Sequence, residues 1–104
     1  MNSEELQVAA FEIILNSGNA RSIVHEAFDA MREGNYALAE EKLKESNDEL
    51  LKAHQSQTHL LQEYAGGKEV NVDIIMVHAQ DHLMTTMTLR EVGLEMLELY
   101  KKLG

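Results

Sequence analysis

The chain has no cysteine, no proline and no tryptophan, and only 5% of its residues are aromatic. Without cysteine it forms no disulfide and does no thiolate chemistry. Basic residues are scarce as well: 9 Lys and Arg stand against 18 Asp and Glu, for a net charge of −9. Nucleic-acid affinity rests on neutralising phosphates with Lys and Arg, so this balance argues against it. The same balance argues against an anionic membrane surface. No apolar run approaches the roughly 20 residues that span a bilayer, so no membrane insertion is expected. The opening MNSEELQVAAFE is acidic where a secretory signal is basic, which gives the expectation of a cytoplasmic protein.

What is present is one domain's worth of chain: 104 residues, 44% of them hydrophobic. With no proline to interrupt it, helix is written almost everywhere. Leu6, Ala10, Ile13, Ser17, Ala20, Val24, Ala27 and Met31 alternate steps of four and three, a seam that predicts a helix over about 3–33. Ser3, followed by Glu4 and Glu5, is its expected N-cap. Gly18 lies inside it at a cost of up to about 1 kcal/mol relative to Ala. Gly34-Asn35 punctuates, and a second helix is expected over about 36–64 on a seam of Tyr36, Ala39, Leu43, Leu50, Leu61 and Tyr64. AGGKEVN is a loop, and a third helix is expected over about 73–102, capped by Asn71 or Asp73. Short connections between long helices imply an up-down-up, all-α bundle. The third helix is apolar on more than one side, so surplus surface predicts an oligomer.

Inside that helix sits HAQDHLMT, which brings His78, Gln80, Asp81 and His82 into an otherwise apolar run. At about 100° per residue, Asp81 lies about 60° to one side of His78 and His82 about 40° to the other, with Gln80 beyond Asp81. Asp81 shares a stripe with Val77, Met84, Thr88 and Val92. A lone carboxylate buried there must be protonated, paired or metal-bound. A bond to a Lys or Arg of another helix is the ordinary outcome, and histidines at helical spacing are ordinarily satisfied boundary residues. His25, His54 and His59 form no visible cluster. The i, i+4 spacing of His78 and His82 could suit a zinc pair, but the string lacks the Glu of a HExxH metalloprotease. The six methionines occupy packing positions.

The string HAQDHLMT, with DIIMV before it and TMTLREV after it, resembles the third helix of the lactose/cellobiose-type enzyme IIA proteins of the bacterial phosphoenolpyruvate-dependent sugar phosphotransferase system. FEIILNSGNAR and EAFDAMREGNYALAEEKL resemble the family's first helical hairpin, AHQSQTHLL its second helix and ELYKKLG its end. The likeness spans the whole chain as a single domain, 1–104. It implies a three-helix bundle assembling as a parallel homotrimer, a nine-helix bundle resembling a coiled coil. It implies that His78 accepts a phosphoryl group, at its tele nitrogen, from the histidine phosphocarrier protein and passes it to a cysteine of a cognate IIB. It implies that Asp81, one from each subunit, binds a divalent cation such as Mg2+ on the threefold axis. Around such an axis His78 of one subunit and Gln80 of the next share a groove, which casts Gln80 and His82 as supporting residues. The sugar expected is a β-linked disaccharide, cellobiose-type or lactose.

Two other readings stand beside this one. A helical interaction module without chemistry fits GNYALAEEKLKES, but a solenoid needs about three repeats at fixed spacing and none is present. A metal-dependent hydrolase built on His78, Asp81 and His82 lacks a third protein ligand and a general base.

Overall fold

The computed structural model describes residues 2–104. Three helices of equal length make the molecule: α1 (Ser3–Arg32), α2 (Tyr36–Ala65) and α3 (Ile74–Leu103). Each opens on a side-chain cap. Asn2, not Ser3, caps α1, its Oδ1 accepting from the Glu5 amide at 2.8 Å. Both residue types cap well, so the choice between neighbours is a matter of local geometry that sequence leaves open. Asn35 caps α2 through the Leu38 amide, and Asp73 caps α3 through the Met76 amide. Gly34 (φ 78°) and Gly67 (φ 87°) end the first two helices in the left-handed region that favours glycine.

Side-chain pairings fix the directions. Between α1 and α2, Glu12 meets Ser56 and Glu26 meets Lys42, so the order reverses and the helices are antiparallel. Between α2 and α3 the order reverses again, from Glu40 with Lys101 to Gln57 with Gln80. α1 and α3 run parallel: Gly18 faces His82, and Phe28 faces Gly93. The bundle measures 53 × 20 × 18 Å, with a radius of gyration of 16.1 Å. A compact domain of this length has a radius near 13 Å, so this rod carries extra surface for its mass.

The α1 seam is buried throughout, from Leu6 to Met31. The core divides into two clusters. One gathers Ile13, Leu50, Leu60, Met76 and Leu83; the other gathers Val24, Met31, Leu43 and Leu97. Along α2 and α3, small or hydroxylated buried residues lie between them: Ser46, Thr86 and Gly93. The α2 seam departs from the sequence expectation. Ala53 and Leu60 are buried, whereas Leu61 and Tyr64 are 62% and 71% exposed. The inward face keeps a seven-residue register through Ala39, Ser46, Ala53 and Leu60, with Leu43 and Leu50 between, so the small Ser46 and Ala53 lead it to Leu60 and not to Leu61.

Candidate functional site

α3 has two faces. Met76, Ala79, Leu83, Thr86, Gly93 and Leu97 point into the bundle and are buried. The opposite side carries Val77 (53% exposed), Met84 (49%) and Val92 (49%), with Asp81 and Thr88 exposed among them. This outward stripe is largely apolar, and no element covers it among the described residues.

The four polar residues of HAQDHLMT leave α3 in three directions. His78 is exposed and His82 half-buried, on the flank nearest α1. Their rings lie 6.0 Å apart between centroids, with planes inclined by 26°. His82 Nε2 stands 3.7 Å from where a Cβ on Gly18 would lie, so that nitrogen faces α1 at a position without a side chain. Neither ring engages in a hydrogen bond or ion pair among the described residues. Thr86 holds the helix beneath, its Oγ1 donating to the His82 carbonyl at 2.7 Å.

Gln80 turns the other way, into the groove between α2 and α3. There its Oε1 accepts from Gln57 Nε2, and its own amide meets Met76 Sδ at 3.5 Å. Leu61, Tyr64, Val70, Val72 and Val77 extend this groove as an apolar hollow of about 410 Å3. Asp81 lies between the two flanks. Among the described residues no Lys or Arg pairs with its carboxylate, so the ordinary ion-pair outcome is not the one adopted. Nor do three His, Asp or Glu side chains anywhere among the described residues converge as a metal site. One exposed carboxylate in an apolar stripe therefore fits a cation only if further copies of the chain supply further carboxylates.

The remaining histidines stand apart. His25 packs edge-on to Phe28 at 5.8 Å, and His59 Nε2 lies 3.9 Å from the Glu63 carboxylate. Arg90 was not visible as special in the sequence. Its Nε donates to the Leu43 carbonyl at 2.8 Å across the α2–α3 groove, and burial lowers the guanidinium below its ordinary range. That carbonyl also accepts from Ser46 Oγ at 2.7 Å within α2, while the Arg90 bond ties α2 to α3 at the boundary between the two core clusters.

Comparison with known proteins settles the family. The profile described as PTS system, Lactose/Cellobiose specific IIA subunit matches residues 8–101. The chain belongs to this family. The lichenan-specific phosphotransferase enzyme IIA component of Bacillus subtilis (strain 168) is 45% identical, covering 97% of this chain and 92% of its own. The crystal structure of PtcA from S. mutans is 84% identical, with a TM-score of 0.96, over 97% of this chain and 99% of that one. The solution structure of the Escherichia coli IIA(Chitobiose)-HPr complex contains a chain 39% identical, with a TM-score of 0.81, over 94% and 95%. As members of this family are, the chain is a IIA component of a sugar phosphotransferase system, and its all-α three-helix fold is theirs. No helix among the described residues is long and apolar enough to cross a membrane.

Proposed function

We propose that this chain is a cytoplasmic phosphoryl carrier in which His78 is the acceptor. The observation that carries the reading is an exposed imidazole, free of hydrogen bonds among the described residues, on the outward side of α3 in a IIA subunit. The donor is the histidine phosphocarrier protein, a choice supported by the IIA relative solved with HPr. The Nε2 lone pair of neutral His78 attacks phosphorus, the N–P bond to the donor histidine breaks, and that ring keeps the electron pair. A cysteine thiolate of the cognate IIB then attacks the same phosphorus, and His78 leaves as neutral imidazole. Most of the catalysis is positioning and charge stabilisation in the docked complex.

Three copies assemble in parallel through the outward stripe of α3. That arrangement covers Val77, Met84 and Val92 and brings three Asp81 carboxylates to the axis. A hard cation of the Mg2+ type would there offset their mutual repulsion, a structural contribution. Each His78 then faces the next subunit's Gln80 flank, and His82 and that Gln80 hydrogen-bond the phosphoryl oxygens. The cargo is a β-linked disaccharide of cellobiose or lactose type, in keeping with the family description.

The test is reconstitution. Incubated with labelled phosphoenolpyruvate, the system's first enzyme and HPr, the chain should acquire an acid-labile, base-stable phosphate that is absent from His78→Ala. Absence of label on the folded wild-type chain would refute the carrier.

A further inference from the structure

The histidine pair offers chemistry that phosphoryl transfer does not use. His78 and His82 sit one helical turn apart, with rings inclined by only 26° and centroids 6.0 Å apart. Neither ring is occupied by a hydrogen-bond or ion-pair partner among the described residues, and His82 Nε2 faces Gly18, which has no side chain to crowd it. Zinc binds imidazole nitrogen at about 2.0–2.1 Å and tetrahedrally, which puts two coordinating nitrogens about 3.3 Å apart. Side-chain rotation alone brings rings at this spacing to that separation. Water completes the coordination, since no third His, Asp or Glu joins the pair among the described residues.

We propose that His78 and His82 form a reversible chelate for a borderline transition cation, Zn2+ in particular, and that its occupancy blocks phosphorylation of His78. Both imidazoles bind as neutral ligands, and any proton on them passes to solvent. The metal holds the lone pair that would otherwise attack phosphorus, so the ion and the phosphoryl group exclude each other. Imidazole suits Zn2+, whereas carboxylate oxygen suits Mg2+, so this site is chemically separate from the Asp81 carboxylate. Binding stands on the geometry alone, while inhibition rests on the phosphocarrier reading.

Calorimetry with tag-free protein and Zn2+ measures the first arm, in excess Mg2+ so that Asp81 is not the reporter. Wild type should bind one Zn2+ per chain, His78→Gln and His82→Gln should each bind at least about 10-fold more weakly, and Asp81→Asn should bind as wild type. Wild-type affinity in His82→Gln, or competition by Mg2+, overturns the proposal. The second arm follows transfer from purified phospho-HPr. Zn2+ should slow labelling of wild type and a chelator should restore it. His82→Gln, whatever its own rate, should be insensitive at that Zn2+ concentration; equal inhibition of both overturns the proposal. A chain that binds Zn2+ but takes no phosphoryl group refutes the carrier alone. A chain that is labelled but binds no Zn2+ refutes the chelate alone.

Discussion

Leu83 and Met84 are neighbours in sequence and opposites in circumstance. Leu83 is fully buried against α1 and α2, whereas Met84 is 49% exposed on the outward stripe. The same contrast runs along α3: its inner side is apolar and covered, its outer side apolar and bare. The inner side folds the chain. The outer side carries Asp81 and is flanked by His78, and it reads as a core waiting for its other half.

Cutting into the inner side should do the most damage. Leu83→Ala should cost about 2–5 kcal/mol of unfolding free energy, seen in urea melts, because a cavity opens between three rigid helices. Met84→Ala should cost a single chain no more than about 0.5 kcal/mol while weakening association, which gel filtration at falling concentration will show. Asp81 comes next. If it holds a cation between copies, removing that cation from a hundredfold excess over Kd should cost about 2.7 kcal/mol. Thermal melts of wild type should therefore drop with a chelator, and those of Asp81→Leu should not respond.

Two helical glycines sharpen the contrast further. A Cβ on Gly93 would lie 3.2 Å from Cδ2 of the buried Leu43 and 3.4 Å from the half-buried Phe28 ring. Gly93→Ala should therefore destabilise by about 1–3 kcal/mol despite the better helix former. At Gly18 a Cβ meets nothing closer than 3.7 Å. Gly18→Ala should stabilise by up to about 1 kcal/mol in the same melts. The smallest effect belongs to the loop before α3, where Lys68 pairs with Glu63 at 3.0 Å. A hydrogen bond from that lysine holds the Glu63 carboxyl below its ordinary range. A depressed carboxyl contributes stability above its unfolded pKa and loses it as pH falls through the folded value. Lys68→Ala should thus flatten the acid limb of the melting curve slightly, and salt should erase the difference.

The helices were legible because periodicity, caps and paired turn residues agree. Gly34-Asn35 and Gly66-Gly67 mark the breaks, and the observed bounds differ from those expected by about one residue. The far half of α2 was misjudged because its inward register passes through the small Ser46 and Ala53 to Leu60, one position before the Leu61 that apolar bulk suggested. The HAQDHLMT string showed which residues to watch and how a wheel divides them. It could not show that Gln80 is held by Gln57, that His82 faces Gly18, or that Arg90 reaches the Leu43 carbonyl. Those contacts depend on how three helices are set against one another, and local sequence carries no record of that.

Sedimentation equilibrium with divalent cation present tests most directly the claim that the outward side of α3 is a core shared between copies. The expected particle has three times the 11.7 kDa chain mass, reduced in Met84→Asp. A single-chain mass at every concentration would contradict it.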